Sequence, residues 1–289
     1  MPSLKEVKDK IASVENTRKI TSTMNMVASA KLKKAQGRIE QFRPYAEKFY
    51  DLLGNLASGV GADAHPLLEA REEINNVGIL LITSERGLCG AFNSNLIQKA
   101  QNLAWEKQQQ GKAPKFYCVG KKGRYSIQKS EYELLNSYID CMDNFDFTLA
   151  SSLGQEIINS FQAADLDEVH LVYGKFVSVL KQIPTCLQIL PISAEGIESA
   201  ESGAEYTYEP SAEGILNDLL PRFINVQIYR GLLETSASEH AARMAAMDNA
   251  TQNCDDMISD LTLTYNKARQ AAITSELLDI VGGAEALKG

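Results

Sequence analysis

Apolar side chains recur every 3.5 residues near both ends of this chain and gather into short continuous runs between them. From Leu4 that spacing selects Leu4, Val7, Ile11, Val14, Arg18, Thr21, Asn25, Ala28, Leu32, Ala35, Ile39 and Phe42. This is a heptad seam with polar residues in its middle. From Met244 it selects Met244, Met247, Thr251, Cys254, Ile258, Leu261, Tyr265, Ala268 and Ala272. Proline and glycine permit long helices at both ends. No proline lies between Pro2 and Pro44 or after Pro221, and Gly37 and Gly231 are isolated within the two stretches.

The two seams belong together. Many positions are small (Ala28, Ala35, Ala268, Ala272), so the helices can approach closely, and an antiparallel hairpin is the simplest pairing of a first and a last helix. Charge agrees: up to Ala57 there are 11 Lys and Arg against 6 Asp and Glu, and from Ser211 there are 6 against 11. Exposed pairs contribute only about 0 to 1 kcal/mol each. Either stripe could equally be the core of a helical bundle. Length argues otherwise, because a helix from Gly214 to Val281 would span roughly 105 Å at 1.5 Å per residue, several times a compact domain of this size. The N-terminal zone is shorter, so one end of the later helix is expected to stay free for another protein.

Between the helices the period changes. Val77–Thr83, Lys115–Gly120, Glu168–Phe176 and Thr185–Ile192 are β-rich runs, separated by helical stretches at Ser94–Gln110 and Phe147–Ala163. The alternation predicts an α/β layer on a largely parallel sheet, with the last two strands as an antiparallel hairpin. Leu56–Asn76 and Ala194–Glu205 read as connectors.

A net charge of -8 argues against a general nucleic-acid binder. No run of apolar residues is long enough for a membrane span, and the MPSLKEVKDK start is not a signal peptide. Cys89, Cys118, Cys141, Cys186 and Cys254 are odd in number and widely spaced, and His65, His170 and His240 lie far apart. Neither a disulfide framework nor a metal site is indicated. The segment TSERGLCGAFN, Thr83–Asn93, sits between a strand and a helix, where a phosphate could bind. It lacks both nucleotide-binding glycine patterns and their lysine, so a tight turn with Glu85 and Arg86 exposed competes with that reading. No nucleophile or metalloprotease motif appears elsewhere. In NTRKITSTMNMVASAK, Asn16–Lys31, the residues Met24, Met26 and Val27 offer a soft apolar surface beside Arg18, Lys19 and Lys31.

Three segments, KIASVENTRKITSTMNMVASAKLKKA, TSERGLCGAFN and SEHAARMAAMDNATQNCDDMISDLTLTYNKARQAAITSELLDIVGGAEAL, occur in an order that resembles the gamma subunit of bacterial F-type ATP synthase. The resemblance implies a long antiparallel coiled coil of the terminal helices plus a Rossmann-like α/β domain. It divides the chain into a shaft helix at 1–57, an α/β domain at 58–210 and a second shaft helix at 211–289. It implies a rotating shaft that couples ion flow through a membrane ring to ATP chemistry, not catalytic by itself and without cofactor. The implied partners are three alpha and three beta subunits, an epsilon subunit and the membrane c-ring. The implied location is peripheral, on the cytoplasmic face of the bacterial inner membrane. Residue by residue, Arg269 and Gln270 match a pair that meets a catch loop of a beta subunit, with Thr274 and Glu276 further along. Met24 and Arg243 match shaft positions where acidic beta levers press. Tyr206 and Tyr208 fall in the foot that touches epsilon and the ring. The rival is a free-standing nucleotide-binding α/β protein with a helical oligomerisation arm.

Overall fold

Every residue from Val77 to Ile82 is buried, as expected of a central strand covered on both faces. The computed structural model describes residues 3–57, 65–71, 73–192 and 212–286. In chain order these form α1 (Leu4–Ala57), β1 (Asn76–Ile82), α2 (Phe92–Gln109), β2 (Ala113–Val119), α3 (Lys121–Ile127), β3 (Glu133–Tyr138), α4 (Phe147–Gln162), β4 (Glu168–Ser178), β5 (Lys181–Leu190) and α5 (Ala212–Ala286). The sheet order is β3-β2-β1-β4-β5. All neighbours are parallel except β4 and β5, which form the expected antiparallel hairpin.

The chain forms two compact units, one from Ser29 to Arg243 and the other from Met1–Ala28 with Met244–Gly289. In the first, side chains alternate across the sheet. Val77, Ile79 and Leu81 pack with Phe116 and Cys118 against Leu96, Ala100 and Ala104 of α2. Leu80, Ile82, Tyr117 and Val119 point the other way, onto Leu153, Ile157 and Phe161 of α4, Phe49 and Leu53 of α1, and Leu216, Leu220 and Ile224 of α5. These inward halves of the terminal helices are thus part of the α/β core, and of the heptad-seam positions Ile39 and Phe42 pack against it. That packing also carries the helices through Pro44 and Pro221, each of which removes a backbone hydrogen bond.

The stretch Gly231–Ala241 of α5 sits in the core despite its polar composition, with Glu234, Thr235, Ser236, Ser238, Glu239 and His240 all buried. Small side chains let the helix lie close to β4. Gly174 N donates to Thr235 Oγ1 at 3.1 Å, and Ser238 Oγ donates to Gly174 O at 2.9 Å. A Cβ on Gly174 would come within 2.7 Å of the Phe92 ring.

Two elements were not anticipated: α3, about two largely polar turns, and β3, an edge strand that alternates weakly. Glu85, expected at the surface, is half-buried. Its carboxylate accepts from Lys121 N at 3.0 Å and Cys141 N at 3.2 Å, so it caps α3 and holds the loop after β3. Arg86 is exposed, as expected.

At the opposite end of the sheet a buried ion cluster holds β4. Lys107 Nζ lies 2.9 Å from both carboxylate oxygens of Glu168, and His170 Nε2 lies 2.6 Å from one of them. Burial alone would raise the Glu168 carboxyl, but the hydrogen bonds and charges of His170 and Lys107 outweigh it and bring it to about 2. Its ordinary value is 4.5. The resulting stability is fully present above that value and is lost as pH falls toward 2, a contribution of about 3 kcal/mol. We expect Glu168→Gln to flatten the acid limb of urea midpoints measured between pH 5 and 2; an unchanged limb would show that the cluster is not the acid-sensitive element.

Candidate functional site

In the unit formed by the chain ends, α1 and α5 run antiparallel with the predicted period. Val7, Val14, Thr21 and Ala28 are buried on α1, and Met247 and Cys254 on α5. Ile258, Leu261, Tyr265, Ala268 and Ala272 are half-buried while their neighbours are exposed. The seam's polar centre is paired across the helices. Thr21 Oγ1 and Thr251 Oγ1 lie 2.8 Å apart, and Asn25 Nδ2 donates to Met244 O at 3.2 Å and Asp248 Oδ1 at 3.3 Å. Arg18 meets Asp255 at 2.5 Å, half exposed on both sides, where solvent leaves little net stabilisation.

Thr251 also donates to Met247 O at 2.8 Å. Removing only Thr21's hydroxyl therefore loses one hydrogen bond without orphaning its partner. Thr21→Val is expected to cost about 1 kcal/mol, and Thr251→Val to cost less in the Thr21→Val background than alone, because the shared hydrogen bond is already gone. A double-mutant cycle by urea denaturation reads this; strictly additive losses would contradict the pairing.

These contacts fix a register in which each step forward along α1 is a step back along α5. Continuing it places Ser3 opposite Gln270. The start of α1 is set chemically: Glu6 N donates to Ser3 Oγ at 3.3 Å and Ser3 N donates to Glu6 Oε2 at 2.9 Å. This reciprocal cap is written in the sequence as Ser3-Leu-Lys-Glu6 and was the overlooked signal for where the two-helix section ends. Beyond it α5 continues from Ala271 to Ala286 with no paired helix among the described residues, about 24 Å at 1.5 Å per residue. Helix already formed upstream removes the nucleation cost.

Arg269 and Gln270 are exposed at this junction and, among the described residues, their side chains make no hydrogen bond or ion pair. Thr274 Oγ1 donates back to Gln270 O at 2.9 Å, and Glu276 is exposed about half a turn further on. Ile273, Leu277, Ile280 and Val281 follow helical spacing on one side, between 49% and 68% exposed, with Leu278 beside them at 66%. An apolar stripe this open marks an interaction surface.

The other anticipated residues lie elsewhere. Met24 is half-buried next to exposed Met26 and Val27 on α1. Arg243 is mostly buried; its Nη2 donates to Gly87 O at 3.1 Å and pairs with Glu239 at 2.8 Å. Tyr206 and Tyr208 lie outside the described residues.

The Thr83–Asn93 loop is closed on itself. Asn93 Oδ1 accepts from Ser84 N at 3.1 Å, and Asn93 Nδ2 donates to Ser84 Oγ at 2.8 Å. These bonds occupy the strand-to-helix turn from within, which favours the turn reading over a phosphate cradle. Among the described residues no His, Cys, Asp and Glu group could hold a metal ion, and no helix is long and apolar enough to cross a membrane.

Comparison with known proteins agrees with this architecture over the whole chain. A family model described as ATP synthase matches residues 3–287. The ATP synthase gamma chain of Nitratidesulfovibrio vulgaris (strain Hildenborough) is 64% identical, with all of both chains covered, and that of Lawsonia intracellularis is 52% identical over the same full extent. Among solved structures, a central stalk and c-ring structure of the Tetrahymena thermophila mitochondrial ATP synthase superposes with a TM-score of 0.61 at 26% identity, covering 80% of this chain and 99% of that one. A chain of the Euglena gracilis mitochondrial ATP synthase reaches 0.68 at 19% identity, covering 98% and 94%, a likeness of fold. The chain belongs to the ATP synthase gamma chain family and is the central shaft of an F-type ATP synthase.

Proposed function

We propose that the free end of α5 is the bearing and catch of this shaft inside a ring of alternating alpha and beta subunits. The observation that carries this reading is the run Ala271–Ala286, which continues past the capped start of α1 with its apolar stripe uncovered. An encircling apolar sleeve would cover that stripe, while Arg269 and Gln270, with Thr274 and Glu276 beyond them, face polar groups of a beta loop at the rim. Rotation offers different faces of one helix to identical subunits. The contacts must therefore be intermittent, and charge-assisted hydrogen bonds from Arg269 suit such a role.

Met24, with the exposed Met26 and Val27 beside it, is assigned to the surface that meets the acidic beta levers, a task for adaptable thioethers. Arg243 is assigned to the same collar. Tyr206 and Tyr208 are assigned to the foot against epsilon and the c-ring. In this reading the chain catalyses nothing by itself. Nucleotide chemistry stays with the beta subunits, and the chain, peripheral on the cytoplasmic face of the inner membrane, transmits ion-driven rotation to them.

A photo-cross-linker placed at Leu277 in the assembled complex tests the placement. Cross-links to alpha or beta subunits, with 271–286 protected from protease, are the expected result. Rapid cleavage of that stretch in the intact complex, without cross-links, would contradict it.

A further inference from the structure

In the unit from Ser29 to Arg243, a cavity of about 320 Å³ opens among α1, α5 and the loop before α4, with Lys31, Lys34 and Arg38 facing Ser236, His240 and Asp143. The three cations are spaced three and four residues apart and so share one face of α1. One carboxylate answers them, and it is already taken: Asp143 is 2.7 Å from Lys31 Nζ and 3.5 Å from Arg86. Lys34 has no ion-pair or hydrogen-bond partner among the described residues. Arg38 spends its Nη2 on Phe145 O at 2.6 Å and Tyr229 OH at 3.3 Å, which leaves its Nε and Nη1 protons without an acceptor there. His240 is 7% exposed, and its buried Nδ1 has no hydrogen-bond partner.

Cations in excess over carboxylates, gathered in a concavity, concentrate positive potential. Ala35, the small residue between the cations, leaves the space open. No Phe, Tyr or Trp side chain lines the cavity to stack on a base. We propose that this cavity binds a small oxyanion of the phosphate class, inorganic phosphate or diphosphate, between Lys34 and Arg38 on α1 and Ser236 and His240 on α5.

Proton uptake is coupled to that binding. Burial first, then the charges of Arg243 on its own helix and Lys31 on α1, hold the His240 imidazole down to about 4, with Asp143 opposing them from the loop. An anion in the cavity adds negative charge and raises it, so below the second ionisation of phosphate, where the anion's charge is constant, binding tightens as pH falls toward that range.

The test titrates the full chain with inorganic phosphate, diphosphate and ADP at constant ionic strength, read by calorimetry and by the NMR signal of His240. The expected result is one saturable site for phosphate or diphosphate, with His240 titrating at higher pH when it is filled. Lys34→Gln, a change at an exposed position, should weaken binding by about tenfold or more. Lys48→Gln, exposed elsewhere on α1, should leave it unchanged. No saturable binding, equal weakening by both variants, or an unmoved His240 would overturn the proposal. So would ADP binding far more tightly than diphosphate. A glutamate-rich peptide whose binding needs Lys34 while phosphate has no effect would overturn it in favour of an acidic protein segment.

Discussion

Replacing Arg269 and Gln270 together with alanine should lower ATPase turnover of the assembled complex by about tenfold or more while leaving helical content unchanged. Adjacent residues diverge by about 100° around a helix, so the pair reaches two acceptors on one encircling loop. Charged hydrogen bonds contribute about 1.5 to 3 kcal/mol, and a loss of that size confined to the rate-limiting geometry is one to two orders of magnitude in rate. Folding should not register the change. Neither side chain bonds within the chain among the described residues, and alanine is the best helix former. Asn266→Ala is the control, because it removes an exposed polar side chain one turn back without touching the junction. Equal turnover in fully assembled complexes of both variants would refute the catch assignment.

Gly120→Ala should be the most damaging single-methyl change in the α/β unit, lowering its stability by about 3 to 5 kcal/mol through backbone strain and steric overlap. Gly120 ends β2 and precedes α3 with φ of 91° and ψ of 145°, a region open to glycine. A Cβ there would stand 2.3 Å from the carbonyl oxygen of Thr83, a backbone atom that cannot swing away. Thr83 itself is fixed: its N–H donates to Val119 O at 2.8 Å, and its hydroxyl oxygen accepts from Gly123 N at 2.8 Å. Urea unfolding followed at the buried Tyr117 and Phe116 would read the loss. A shift below about 1 kcal/mol would mean that the β2–α3 turn relaxes around the methyl group.

Both results concern places where the sequence was legible to different degrees. The heptad positions Val7, Val14, Thr21 and Ala28 could be read in advance because a two-helix seam imposes one period along its length. The buried run of β1 was equally clear, since a strand covered on both faces is continuously apolar, and so was the β4–β5 hairpin, from the short link that holds Lys181 and Pro184. The edge strand β3 escaped because its Glu133-Leu-Leu-Asn-Ser-Tyr138 sequence is half solvated, and α3 because about two largely polar turns carry too little period. The buried polar stretch around Glu234–His240 was hidden for another reason. Its fit depends on Gly174 and on hydrogen bonds to β4, which lie over 60 residues away in the chain.

The functional surface followed the same division. That α5 outruns α1 could be judged from lengths alone, and Arg269 and Gln270 lay near the predicted free end. Where the pairing stops required the Ser3–Glu6 cap and the Thr21–Thr251 register. Arg243 was placed by resemblance on a contact surface, but its guanidinium also braces the Thr83–Asn93 turn through Gly87, a tertiary bond that no local pattern announces.

The central claim is that this chain turns as a shaft while the catalytic subunits around it work. A rod fixed to a cysteine introduced at Lys175, an exposed position on β4, would report the motion in an immobilised catalytic head. Sustained rotation in one direction during ATP hydrolysis, stopping when nucleotide is withdrawn, is the result the account predicts. Hydrolysis at full rate with the rod stationary would contradict it.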